Sequence, residues 1–274
     1  MKRFVISIVA CIWAFGAQAE ALRLAVTTSF HNSGLSDILL PVIRDDLEFD
    51  VQLLVVGTGQ ALRLGRAGDV DAILVHSRAA EDAFVAEGIA THRREIMYND
   101  FVIVGPDADP AQAGVGDGIT DALSAIAATK AVFVSRGDDS GTHRREVSLW
   151  SDAGIDVGTA DPVWYRAAGA GMGATLNVAV GMNAYTLSDR ASWLNFANKA
   201  DLRIVFQGDP ALFNQYAFLP INPVRHPYVK SDLTRRLEDW LVSDKAQAII
   251  GDYEIDGQKL FTPNATTDGQ ATDG

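Results

Sequence analysis

The sequence predicts an α/β fold of parallel strands covered by helices, arranged as two lobes, and three observations lead there. Short apolar runs alternate with amphipathic segments along the body of the chain. Glycine, serine and threonine cluster where the runs hand over to the helical segments, which is where strand-to-helix turns belong. The length, 274 residues with 48% hydrophobic side chains, suits two domains of ordinary size.

Taken in order, the chain opens with Lys2 and Arg3, an apolar run from Phe4 to Phe15, and Ala17-Gln18-Ala19. That is the layout of a secretory signal, with cleavage expected after Ala19. The only cysteine, Cys11, lies inside the run, too early for a lipoprotein cleavage box. The mature chain is therefore expected to lack disulfide and thiol chemistry. Losing Lys2 and Arg3 takes the formal charge from −12 to −14, which argues against nucleic acid as a partner.

Strands are predicted at Leu22 to Val26, Val51 to Val56, Ala72 to Val75, Phe101 to Val104 and Ala131 to Val134. Helices are predicted over Leu35 to Asp45, Gln60 to Arg66, Ala79 to Glu87, Asp121 to Ala128, His143 to Ala153, Ala174 to Val180 and Tyr228 to Val242. The strands of residues 96 to 104 and 203 to 221 are the expected crossings between lobes. No later apolar run is long enough to cross a bilayer, so no direct membrane insertion is expected. Residues 265 to 274 are small and polar and read as a disordered tail. A soluble periplasmic protein is the expected setting.

The most informative stretch is Ser135-Arg136-Gly137-Asp138-Asp139-Ser140-Gly141-Thr142, between a strand and a helix. Asp139 or Ser140 is the expected N-cap. The first turn of a helix leaves N–H groups unpaired and carries partial positive charge, so a small oxyanion gains hydrogen bonds and dipole stabilisation there. Gly141 lets an anion approach the backbone closely. Arg136 supplies charge and a planar fork, and an arginine directly after a buried strand is costly unless an anion or carboxylate meets it. Three further turns have the same chemistry: Thr27-Thr28-Ser29, Gly57-Thr58-Gly59 and Gly169-Ala170-Gly171-Met172-Gly173. Any one of them alone reads as ordinary capping and turn chemistry; their convergence on one cleft is the stronger signal.

Enzyme patterns fit poorly. The glycines at 169, 171 and 173 lack the spacing of a dinucleotide fingerprint, and Gly57-Thr58-Gly59 lacks the lysine of a phosphate-binding loop. Ser140 is not in a nucleophile elbow, and a pairing of Ser140 with His143 is geometrically poor. His31, His76, His92, His143 and His226 show no metal-ligand spacing and read as surface or capping residues.

Several motifs together resemble the periplasmic tungstate-binding proteins of ABC importers. They are Thr27-Thr28-Ser29, Val56 to Leu62, Leu74-Val75-His76, Met97 to Pro106, the octapeptide, Gly171 to Leu176, and Ala184 to Arg190. The resemblance covers nearly the whole mature chain. It implies a two-lobe type II binding-protein fold with two crossover strands, residues 20–100 and 202–264 forming one lobe and 101–201 the other. It also implies an oxyanion held between the lobes without cofactor or free metal ion, delivery to a membrane permease, a monomer, and no enzymatic activity. The implied anion contacts are Thr28, Ser29, Thr58, Arg136, Ser140, Gly141 and Thr142, with Gly171 and Met172 as further candidates. Molybdate, alike in charge and shape, is an expected second ligand. Phosphate-binding proteins share the arginine, the aspartate two residues later and the Ser-Gly-Thr turn, so a phosphate binder remains an alternative, as does a periplasmic oxyanion sensor. An acceptor carboxylate suits phosphate, which carries a proton, whereas an Asp138 turned towards Arg136 or the helix amides favours a fully deprotonated anion.

Overall fold

A computed structural model describes residues 21–265. The expected signal segment 1–19, with Cys11, lies outside the described residues, as does the expected tail from 266 onward. Ala265, the first residue of that tail, is described: its N–H donates to Gln247 Oε1 at 3.0 Å.

β1 (Ala21–Thr27) leads through α1 (Thr28–Asn32) and α2 (Leu35–Leu47) to β2 (Asp50–Val56). α3 (Thr58–Ala67), β3 (Ala72–Val75) and α4 (Arg78–Ala86) follow. The long β4 (Arg94–Pro106) then carries the chain into the other half of the molecule. There it forms α5 (Ile119–Thr129), β5 (Phe133–Ser135), α6 (Gly141–Asp152), β6 (Tyr165–Ala167), α7 (Met172–Met182), β7 (Thr186–Asp189), α8 (Arg190–Asn195) and β8 (Leu202–Phe206). β9 (Phe213–Pro220) brings the chain back to α9 (Ser231–Leu241), α10 (Asp244–Asp252) and the short β10 (Glu254–Ile255), β11 (Gln258–Lys259) and β12 (Thr262–Pro263).

This is a two-lobe α/β architecture joined by a shared strand. The main sheet has the order β12-β4-β9-β3-β1-β2, and β7 and β8 pair with the far part of β4. β4 changes partner along its length: Arg94 to Asp100 face β9, Phe101 to Val104 face β7, and Ile103 to Pro106 face β8. The return passage therefore falls between Phe206 and Phe213, since β8 stays with β7 on the far side. The expected parallel arrangement holds where helices connect neighbouring strands, β1 with β2 and β3, and β5 with β6. It fails along β4, which holds the predicted strand Phe101 to Val104 and whose partners β7, β8, β9 and β12 all run antiparallel to it, and at β9 against β3, because a chain that leaves one lobe through β4 re-enters it in the opposite direction.

Polar pairs fasten the crossing. Asn214 Nδ2 donates to Asn99 Oδ1 at 2.8 Å, and the Arg190 guanidinium holds both oxygens of Asp100, at 2.7 and 2.5 Å. Apolar stripes seat the helices. In α9, Leu233, Leu237, Trp240 and Leu241 recur at helical spacing and are all buried, while the opposite face is charged. α9 starts at Ser231, three residues later than expected, and Tyr228 is left 94% exposed ahead of it. α3 and α7 each start two residues earlier than the periodicity indicated, at Thr58 and Met172. Those early starts put glycine-rich first turns, which periodicity does not register, inside the helices.

Candidate functional site

Among the described residues six strands end in a turn that opens a helix: β1 into α1, β2 into α3, β3 into α4, β5 into α6, β6 into α7 and β7 into α8. Each turn has its own cap chemistry. Thr27 Oγ1 accepts from Phe30 N at 3.3 Å, Ser140 Oγ from His143 N at 3.2 Å, and Asp189 Oδ1 from Ser192 N at 2.8 Å. Gly57 and Gly171 cap α3 and α7 without a side chain, leaving the first-turn amides of those helices open to a ligand.

A cleft of about 510 Å³ lies where the segments after β1, β5, β6 and β7 meet. Thr28, Ser29, Arg136, Gly171 and Met172 line it, joined by Asn32, Asp189, Ser192 and Asn195. Gly141 lines a neighbouring pocket together with His76 and Asn214. Thr58, Ser140 and Thr142 line neither pocket. Thr58 and Thr142 are buried, and the Ser140 hydroxyl is engaged in capping α6.

Arg136 is the cation of the cleft. Its side chain is only 12% exposed, one guanidinium nitrogen donates to Asp138 Oδ2 at 2.5 Å, and the other reaches Thr142 Oγ1 at 3.5 Å. Nε is buried without a hydrogen-bond partner. Asp138 Oδ1 accepts from Ser140 N at 3.2 Å, so this carboxylate is turned onto its own loop. Burial acts to raise the Asp138 pKa, but the hydrogen bonds from Ser140 and Arg136 outweigh it and hold the group below the usual carboxylate range. The loop is tight: Gly137 has φ +60, and a Cβ there would meet the Ala167 Cβ at 2.6 Å. Asp139 points outward to pair with Arg144, and its N–H donates to His143 Nδ1 at 3.0 Å. The imidazole of His143 is thereby directed at Asp139 and not at the Ser140 hydroxyl.

Facing Arg136 is a hydroxyl cluster centred on Ser29. Its Oγ lies 3.0 Å from Thr27 Oγ1, 3.0 Å from His76 Nε2 and 3.1 Å from the Tyr216 hydroxyl. The histidine was expected at the surface or as a cap; here it forms part of the inner wall. Burial, with a further contribution from the Arg136 charge, depresses its pKa to about 4 against an opposing hydrogen bond from Asn214, so the ring is neutral near pH 7. Gly141 closes against it from the opposite lobe: a Cβ at 141 would sit 3.1 Å from His76 Cε1 and 3.8 Å from Thr58 Oγ1. Asn195 Nδ2 donates to Asn32 O at 3.1 Å, a second contact across the cleft.

Ser192, Asn195 and Tyr216 carry no signal in the sequence, while Asn32 follows the first turn and Asp189 lies in the motif Ala184 to Arg190 without a ligand role of its own. Ser188-Asp189-Arg190 at the end of a strand had the same look as the other caps, whereas Tyr216 sits inside an apolar run with nothing to mark it. Among the described residues no group of three His, Cys, Asp or Glu side chains is placed to hold a metal ion. No described helix is long and apolar enough to cross a membrane.

A family model described as a PBP superfamily domain matches residues 16–245. The chain is 44% identical over 249 residues to the tungstate-binding protein TupA of Peptoclostridium acidaminophilum, an alignment covering 89% of this chain and 86% of that protein. Among solved structures, the tungstate-binding protein TupA from Desulfovibrio alaskensis G20 superposes with a TM-score of 0.82 at 45% identity, over 90% of this chain and all of that one. The tungstate ABC transporter structure from Geobacter sulfurreducens superposes with a TM-score of 0.77 at 46% identity, over 85% of this chain and 99% of that one. The chain belongs to the PBP superfamily and, within it, to the family of these tungstate-binding proteins.

Proposed function

We propose that the protein binds tungstate in the cleft between its lobes and delivers it to the membrane permease of an ABC importer. The observation that supports this reading best is the state of Arg136: a nearly buried guanidinium with an unpartnered Nε, facing a wall of hydroxyls. Thr28 and Ser29 offer hydroxyl donors from one lobe, and the open first turn of α7 at Gly171 and Met172 offers amides from the other. Thr58 and the Ser140-Gly141-Thr142 turn complete the surround. An ion without hydrogens needs donors only, and these groups are donors.

The position of Asp138 favours tungstate over phosphate, because its oxygens are occupied by Arg136 and Ser140 N and are not offered to a protonated ligand. Molybdate has the same charge and shape and is the expected second ligand. The lobes are residues 21–100 with the segment from β9 to 264, and residues 101 through β8. They close on the anion as a hinge, with Gly141 meeting His76. The protein acts as a periplasmic monomer after signal cleavage, without cofactor and without turnover.

Titration calorimetry of the chain from residue 20 against tungstate, molybdate, phosphate and sulfate tests this. Tungstate and molybdate should bind with affinity near nanomolar, about 12 kcal/mol, since six or seven hydrogen bonds at about 1.5 to 3 kcal/mol each exceed the ordering and desolvation costs. Absence of binding to any of the four, or tight binding to phosphate alone, would overturn the reading.

A further inference from the structure

Asp189 is out of place in an anion site. It ends β7 and caps α8, its side chain lies in the wall of the same cleft as Arg136, Thr28 and Ser29, and the residue is only 2% exposed. Its carboxylate is held locally, Oδ1 accepting from Ser192 N at 2.8 Å, with the Ser192 side chain and its own backbone N–H also favouring the charged form, yet burial outweighs them. The groups that face it are few. Arg136 acts on it from the β5–α6 turn, and Tyr216 of β9 lies within its field. Arg190, on its own helix, is turned away into the paired bond with Asp100 of β4 and a bond to Gln207. The α1 and α7 walls present Thr28, Ser29 and Met172, which carry no charge, and Glu254 of β10 near α8 is exposed. Arg136 already has a carboxylate partner in Asp138. With that pair already neutral, a second ionised carboxylate here would leave the group net negative and stand against a dianion in a poorly solvated place.

We propose that Asp189 takes part in the anion site as a neutral carboxylic acid, accepting a proton as the oxyanion binds and donating a hydrogen bond to it. This rests on the tungstate reading above, and it adds a donor where the static charge count shows a repulsive group. Tungstate brings no proton, so the proton comes from solvent. Burial already pushes the Asp189 carboxyl above the ordinary carboxylate range before any anion arrives, and the arriving charge pushes it in the same direction.

The test is calorimetry with sodium tungstate between about pH 6 and 8.5, in pairs of buffers with different ionisation heats, on the wild type and Asp189→Asn. Asparagine keeps the N-cap and a donor but cannot titrate. The wild type should take up as much as one proton per anion, its affinity falling by up to tenfold per pH unit where uptake is complete. Asp189→Asn should bind with no uptake and with an affinity that does not vary with pH. In the wild type, an infrared difference spectrum should show a protonated-carboxyl band appearing with tungstate and missing from the variant. Binding without proton uptake overturns the inference and leaves the tungstate reading intact. Uptake that survives in Asp189→Asn also overturns it and moves the proton to another group, with Glu146, buried in α6, as the first to examine by Glu146→Gln. If the wild type binds no tungstate, the functional reading falls and the inference with it.

Discussion

Replacing Arg136 by alanine removes the cation of the cleft and frees Asp138 at the same time. The guanidinium is 12% exposed, so its charge is little screened. Two charge-assisted hydrogen bonds to the anion at about 1.5 to 3 kcal/mol each give about 3 to 6 kcal/mol lost. Part is offset, because the alanine chain no longer has to desolvate a cation. The Asp138 carboxylate, left without its 2.5 Å partner, then adds repulsion. The net loss should be at least about 2 kcal/mol, roughly thirtyfold in affinity. Lysine keeps the charge but cannot serve Asp138 and the ligand together as a planar fork does, so Arg136→Lys should fall between wild type and alanine. Adding Asp138→Asn to Arg136→Ala should recover part of the affinity by removing the stranded charge. Calorimetric titration with tungstate measures all four proteins, with circular dichroism to confirm folding. An Arg136→Ala affinity within threefold of wild type would refute the reasoning and make the Arg136–Asp138 pair purely structural.

Two further predictions concern the wall opposite. Gly141→Val should place a branched side chain against His76 and Thr58, given the 3.1 Å and 3.8 Å available to a Cβ, and so prop the lobes apart; tungstate should then compact the wild type in small-angle scattering but not the variant, and equal compaction would count against the wedge. His76, with its folded pKa depressed to about 4 from 6.5, binds a proton more readily when unfolded, so its contribution to stability is full above pH 6.5 and is lost as the pH falls towards 4. The loss amounts to as much as about 3 kcal/mol at about 1.4 kcal/mol per pKa unit. Urea denaturation of wild type and His76→Gln without anion, at pH 7.5 and pH 5, isolates it; the stability difference between the two proteins should narrow at the lower pH. Glu146, raised by burial to about 7, works in the opposite direction, which is why the comparison between proteins is the quantity to measure.

Much of the architecture could be read from the chain because its signals are local. A run such as Ala72-Ile73-Leu74-Val75 has to be buried on both faces, and Leu233, Leu237 and Leu241 have to share one side of a helix, whatever the rest of the molecule does. Arg136 stood out for the same reason: a fixed charge directly after a buried strand requires a partner, and the neighbouring Asp138, Ser140 and Gly141 named the chemistry of the turn. The short helices α1 and α8 escaped notice, since five or six residues are too few for periodicity to register.

What the tertiary structure decided was which groups face one another. Ser29 and Tyr216 are 187 residues apart in sequence and 3.1 Å apart in space, and no local pattern encodes that distance. Whether Asp138 pointed at the ligand or at its own loop depended on a rotamer set by Arg136 and by the Ser140 amide. His76 looked like a surface histidine until Gly141 of the other lobe was seen to close over it. Asp189 read as a helix cap, which it is, and only the fold set that cap beside the arginine meant for an anion. Local sequence determines backbone conformation and which face of an element is apolar because those depend on neighbours along the chain. The balance of charge in the cleft depends on neighbours across it, and these are specified only when both lobes are in place.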